Sequence, residues 1–247
     1  MFRLERRVKK AQRKFRKLLD IAKPRIRTVA PEGILPWMKF INPGMITQGN
    51  IDLFAHCIAQ LPSGAPLIEI GSFSGLSLNH LTYFLRRAGR ANVIFSTDEW
   101  KFEGFEPGTT IGNSPVLFDD YRAHVKDSFR RNVTLFSGDR LPHHIELDSN
   151  AFFARWDARE TRNDFFGNSA QLGGPISFAY IDGDHTYAQS KRDFENVDRH
   201  LEPGGFIVFD DSGSGKFGCS KVAEEVAALA RYELISRQQN YCVRKRP

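Results

Sequence analysis

Cysteine is scarce: the 247 residues hold three, Cys57, Cys219 and Cys242, far apart along the chain. Neither a zinc-ligand spacing nor a disulfide framework follows, and reduced thiols fit a cytosolic protein. No apolar run approaches the ~18–20 residues that span a bilayer. The N-terminal segment lacks an apolar core of the secretory kind, so a cytoplasmic location is the expectation. Internal repeats and low-complexity tracts are missing as well. What is there is an ordinary globular composition, 41% hydrophobic and 26% charged. That is enough for one α/β domain with a short appendage.

The net charge of +6 divides unevenly. Residues 1–27 hold 12 Lys/Arg against Glu5 and Asp20, or +10, so the other 220 residues carry 23 basic and 27 acidic groups, or −4. In this arm Leu4, Val8, Ala11, Phe15, Leu18 and Ala22 recur in alternating steps of four and three, one apolar stripe along a basic helix. Pro24 ends it. The plainer reading is a solvated helix whose weak stripe packs on the body or on a second subunit of a homo-oligomer. An anionic membrane surface ranks next, which would leave the protein peripheral at the inner membrane face. A short coiled coil and a nucleic-acid contact are also open to such an arm, but no nucleic-acid partner is expected. A transit peptide fits less well, because the segment has no Ser and contains acids.

Residues 28–49, with Pro31, Pro36 and Pro43, read as an irregular linker, and residues 50–247 as the main domain. Asn50 can cap a helix carrying Ile51, Phe54, Ile58 and Leu61. Strands are expected at 66–70, 93–97, 133–136, 176–181 and 206–209. Helices are expected at 75–87, 115–130, 187–201 and 221–230, and a hairpin of 232–236 with 240–244 closes the chain. Alternating strands and helices imply an α/β fold: a doubly wound, mostly parallel, seven-stranded Rossmann-like sheet with an antiparallel C-terminal strand. The stretch at about 140–174 reads as a long insertion with a helix near 149–159, of the kind that forms lids or substrate walls. His143, His144 and Trp156 there could face a substrate, though core or surface places suit each better.

Such sheets bind ligands beyond the carboxyl ends of their strands. After the first expected strand comes Glu69-Ile-Gly71-Ser-Phe-Ser-Gly75, whose small residues allow close backbone approach ahead of a helix N-terminus. Phe73 breaks the Gly-x-Gly-x-x-Gly dinucleotide pattern, which weighs against a nicotinamide oxidoreductase. A structural turn explains the glycines about equally well. Asp98-Glu99 follows the second strand, where a carboxylate could grip a ribose diol or merely cap a helix. Gly138-Asp139 follows the third. Asp182-Gly-Asp184-His185 follows the fourth and Asp210-Asp211 the fifth. Three converging carboxylates repel one another unless a cation or protons intervene, and a hard cation, Mg²⁺ by preference, suits oxygen ligands. Helix capping by Asp210 or Asp211 is the alternative.

Together, residues 69–77, 180–187 and 201–211 resemble class I methyltransferases, in particular the metal-dependent O-methyltransferases of the catechol and macrolide-sugar types. The resemblance covers roughly residues 50–247. It implies S-adenosylmethionine as cofactor, with Glu69 and Gly71 shaping the first loop, Gly75 letting the methionine portion approach, Ser77 holding the methionine carboxylate, Asp98 on the ribose and Asp139 at the adenine. It implies Asp182, Asp210 and Asp211 as ligands of a divalent metal; catechol-type enzymes carry Asn at the last position. His185 stands where those enzymes have a lysine base, and Asp184 matches the acid proposed as base in the sugar-modifying relatives. A histidine titrates near neutral pH, which favours it. The implied partner is a small-molecule or saccharide acceptor bearing a hydroxyl. Hydroxylases of antibiotic pathways share the second stretch, so it does not by itself fix the reaction. Metal-independent N- or C-methylation and a non-catalytic membrane-associated binding protein are the other readings.

Overall fold

The computed structural model describes residues 26–102 and 104–247; the basic arm lies outside them save for its last two residues. The main sheet has seven strands: β1 (Leu67–Ile70), β2 (Ile94–Thr97), β3 (His143–Ile145), β6 (Ile176–Ile181), β7 (Leu201–Phe209), β8 (Tyr232–Ser236) and β9 (Tyr241–Lys245). Their spatial order is β3-β2-β1-β6-β7-β9-β8. All pairings are parallel except those of β9, which runs antiparallel between β7 and β8. The antiparallel C-terminal strand is thus present, inserted one place inside the sheet margin. A separate two-stranded hairpin joins β4 (Thr161–Asn163) to β5 (Ser169–Gln171).

Strand alternation sends Leu67, Phe178 and Phe206 to one face and Ile68, Ala179 and Ile207 to the other, each into its own core. The first core is roofed by α2 (Gln48–Ala59), α3 (Leu76–Arg87) and α4 (Phe118–Ser137), the second by α5 (Ser149–Asp157), α6 (Tyr187–His200) and α7 (Gly218–Ala228). The sheet is therefore doubly wound, and its strand order reverses between β1 and β6. Loops leaving those two strands part to opposite faces and leave a crevice at their carboxyl ends.

Four expectations are corrected. Val133–Phe136 is not a strand: it forms the last turn of α4, where Val125, Phe129, Val133 and Phe136 make a buried stripe in steps of four, four and three. The third strand is instead His143–Ile145, so the segment read as an insertion supplies part of the sheet, then α5 and the β4–β5 hairpin. The linker contains a short helix, α1 (Leu35–Ile41), with Pro36 in its first turn, where a missing N–H costs nothing. Helix α2 is capped by Thr47, not Asn50; Asn50 is the third residue of the helix and closes a capping box with Thr47.

Candidate functional site

The turn after β1 is shaped by backbone demands. Gly71 has φ +84°, and a Cβ there would lie 2.1 Å from the Asp182 carbonyl oxygen. Gly75 has φ +86°, and a Cβ would lie 2.5 Å from Val133 Cγ2. Both glycines are required by the chain itself, one by the β6 loop and one by α4. Asp98, at the end of β2, accepts hydrogen bonds from the main-chain N–H groups of Ser72 (2.9 Å), Phe73 (3.0 Å) and Trp100 (2.7 Å). The buried Trp100 donates its indole N–H to the Phe73 carbonyl at 2.7 Å. Asp98 and Trp100 thus hold the turn open around Phe73, itself at φ +40°. Burial raises the Asp98 carboxyl above its ordinary range, and the three N–H donors pull it partly back.

Glu69 sits at the base of this turn, fully buried, and neither carboxylate oxygen has a hydrogen-bond partner. Burial pushes its pKa up to about 8, and the Asp98 charge adds to the rise. An orphaned acid of this kind fits a cationic ligand group arriving from the crevice. Ser77 lies in the first turn of α3, nine-tenths buried.

Across the switch point, β6 and β7 bring the second set together. Asp182 and Asp210 face one another: desolvation first, and then the Asp210 charge, hold the Asp182 carboxyl well above the usual range. Asp210 Oδ1 accepts from Asn50 Nδ2 (2.5 Å) and Asn240 Nδ2 (2.8 Å). The Tyr180 hydroxyl takes a further 2.8 Å bond from Asn50. His185 Nε2 lies 3.9 Å from Asp182 Oδ1 and 3.7 Å from Asp211 Oδ2, and its ring lies against Phe217. Asp211, at φ +48°, is half exposed. Asp184 points its carboxylate at the Thr186 N–H (2.7 Å) on the exposed side of the loop.

Among the described residues no three His, Cys, Asp or Glu side chains form a ready-made metal cage. The donor chemistry of Asp182 and Asp210 nevertheless fits a hard cation. Two facing carboxylates, one driven toward its protonated form by desolvation and by the other's charge, are relieved by a positive charge between them.

Asp139 does not join the crevice. It lies in the turn after α4, ahead of β3, and pairs at the surface with Arg86. Its expected place rested on the misread third strand; the residues that follow the true β3 are Glu146, Leu147 and Asp148. His144 is buried, with burial holding its imidazole down at about 3, and His143 bonds Asp164 at 2.7 Å. Trp156 is buried and donates to the Gly174 carbonyl. None of these three reaches the acidic cluster.

Sequence reasoning missed Asn50, Asn240 and Trp100. Asn50 had a signal, a polar residue on the stripe shared with Phe54, Cys57 and Ile58. Asn240 sits in the β8–β9 turn, 30 residues from Asp210, and nothing local marks it.

Comparison with known proteins adds a family and a fold. The family described as "Methyltransferase domain" matches residues 68–212, from β1 to just beyond Asp211. An O-methyltransferase from Bacillus cereus, solved with S-adenosylhomocysteine, superposes with a TM-score of 0.56 at 14% identity, covering 94% of this chain and 96% of that one. CalS11, a TDP-rhamnose 3′-O-methyltransferase of calicheamicin biosynthesis, gives 0.53 at 17% identity over 88% of each chain. The O-methyltransferase NovP gives 0.53 at 16% identity over 85% of this chain and 88% of that one.

Proposed function

Because the chain belongs to the methyltransferase-domain family, and is an enzyme of that class, we propose that it takes its methyl group from S-adenosylmethionine. The acceptor is an oxygen of a hydroxylated small molecule or saccharide, and a divalent cation, Mg²⁺ by preference, assists. One observation carries this reading. At adjacent strand ends the crevice presents a buried, unpartnered carboxylate, Glu69, and two facing ones, Asp182 and Asp210. The first suits a cationic amino acid moiety, the second a hard cation. The bound S-adenosylhomocysteine of the Bacillus cereus enzyme and the sugar acceptor of CalS11 support it.

In this reading Glu69 takes the ammonium group of the methionine portion and Ser77 its carboxylate, while Gly71 and Gly75 set the path of the turn. Asp98 receives the ribose hydroxyls on lone pairs left over from its three N–H partners. Asp139 has no part. S-adenosylmethionine supplies a methyl already activated as a sulfonium, so alignment is the main task left to the protein. A cation held by Asp182, Asp210 and Asp211 would lower the acceptor hydroxyl's pKa and fix its direction. Asn50 and Asn240 hold Asp210 in place from two sides. As the new O–CH₃ bond forms, the S–CH₃ bond breaks with its electron pair on sulfur, and the hydroxyl proton passes to His185 Nε2. Asp184 is already committed to the Thr186 N–H, which favours His185 as the base.

A second reading drops the cation: a protonated His185, at ion-pair distance from Asp182 and Asp211, neutralises them itself and serves metal-independent N- or C-methylation. Transfer of labelled methyl to 3,4-dihydroxybenzoate and to a TDP-sugar, with and without chelator, separates the two. The first reading expects turnover that stops on chelation and returns with Mg²⁺; turnover indifferent to chelator would overturn the cation, and S-adenosylhomocysteine failing to bind would overturn both.

A further inference from the structure

Of the ten large hydrophobic side chains exposed among the described residues, five lie between residues 34 and 45. Ile34, Trp37, Phe40 and Ile41 occupy one side of α1 and its entry, while Leu35 and Met38 point inward on the other. Trp37 is 67% exposed, Phe40 79% and Met45, just beyond the helix, 90%. The Trp37 and Phe40 rings meet edge to face at 6.2 Å, so the outer face is one aromatic surface. A contiguous patch of this kind is uncommon on a monomer and marks a docking face.

The patch adjoins the crevice. Asn42 donates to the Ser74 carbonyl at 3.0 Å, the Ser74 hydroxyl bonds the Pro43 carbonyl, and a Cβ on Gly44 would meet Leu76. Met45 therefore stands beside the turn that follows β1. Lys39 lies on α1, and the neighbouring α3 ends in Arg86 and Arg87, which pair with Asp139 and Glu32. Just ahead of it in the chain, residues 1–27 carry +10.

We propose that this face docks on an anionic lipid bilayer, with Trp37, Phe40, Ile41 and Met45 entering the interface and the basic residues meeting the headgroups. Charge complementarity chooses this occupant. A second copy would bring another +10 segment against the first, whereas an anionic surface attracts both that segment and Lys39. Aromatic and aliphatic side chains beside clustered Lys/Arg are the composition of an interfacial anchor. Such docking would turn the mouth of the crevice toward the membrane. No helix among the described residues is long and apolar enough to cross one, so contact would be made at the surface. The inference stands apart from methyl transfer, and neither falls with the other.

Trp37 provides the readout, because Trp100 and Trp156, at 0% and 1% exposure, are already shielded from water. The full chain is floated with phosphatidylcholine–phosphatidylglycerol vesicles and with pure phosphatidylcholine, and its tryptophan emission is followed. Binding to the anionic vesicles alone, with a blue shift, is expected. The exposed pair F40S/M45S should lower the bound fraction about tenfold or more while leaving the thermal midpoint in place. Binding unchanged by F40S/M45S and without a Trp37 shift would overturn the proposal, since charge alone would explain it. A lipid-free dimer whose formation itself shifts Trp37 would overturn it in favour of a second copy.

Discussion

The two halves of the crevice treat their carboxylates in opposite ways. At the end of β2, Asp98 is largely engaged by the protein: three main-chain N–H groups point at it, and it builds the turn that follows β1, leaving only its spare lone pairs for a ligand. At the ends of β6 and β7, Asp182 and Asp210 confront each other, and partial burial makes their repulsion worse. A folding chain gains from the first arrangement and loses from the second. The difference teaches which acid chiefly builds the protein and which pair keeps charge for a ligand: Asp98 is balanced by main-chain donors, whereas Asp182 and Asp210, though Asn50 and Asn240 position the latter, keep their mutual repulsion. Glu69, buried and without a partner, belongs with the second kind although it sits in the first half.

Substitution of Asp98 should break the comparison most severely. D98A leaves three buried N–H groups without an acceptor, at about 1–3 kcal/mol each before relaxation. It should lower the thermal midpoint markedly and abolish S-adenosylhomocysteine binding by calorimetry.

A further carboxylate, Asp193 on α6, lies behind the β6 loop with Oδ2 unpartnered, and burial raises its pKa to about 6 from 3.8. The folded state therefore binds this proton more tightly than the unfolded chain. Its stabilising share is full below pH 3.8 and is lost as pH rises through about 6. By linkage that loss amounts to about 3 kcal/mol, an upper figure. D193N should flatten the stability profile between pH 4 and 6, as denaturant titrations at several pH values would show; a profile unchanged from wild type would remove Asp193 from this account.

His185 belongs to the β6–β7 half. H185Q should leave the thermal midpoint nearly unchanged and cut methyl transfer about a hundredfold or more, with a flattened pH–rate profile. A large loss of stability would make it architecture instead. The smallest effect is expected at Thr47, whose capping box includes Asn50: T47A should cost about 1 kcal/mol. Through Asn50 it should loosen Asp210 enough to weaken Mg²⁺ binding slightly in a metal titration.

What was legible in the sequence follows from the range of the forces involved. Strands β1, β2 and β6 are short apolar runs bounded by turn residues and buried on both faces, so composition alone marks them. The acids Asp182 and Asp210-Asp211 follow the ends of β6 and β7, and strand ends can be read from such apolar runs. The third strand was not legible, because Val-Thr-Leu-Phe at 133–136 has the residue types of a strand and the spacing of a helix, and spacing prevailed. The true β3, with two histidines in three residues, resembles a loop, and Asp139 lost its place with the error. Asn50 and Asn240 come to Asp210 from 160 and 30 residues away, and contacts of that range leave no local pattern. The apolar residues of α1 were passed over because their prolines suggested a linker.

The most direct test of the division is S-adenosylhomocysteine and Mg²⁺ calorimetry on the D182N variant. If the β1–β2 end holds the cofactor and the β6–β7 end the cation, D182N should bind S-adenosylhomocysteine within about twofold of wild type and lose measurable Mg²⁺ binding. A fall in S-adenosylhomocysteine affinity comparable to that of D98A, or Mg²⁺ binding that survives in D182N, would contradict it.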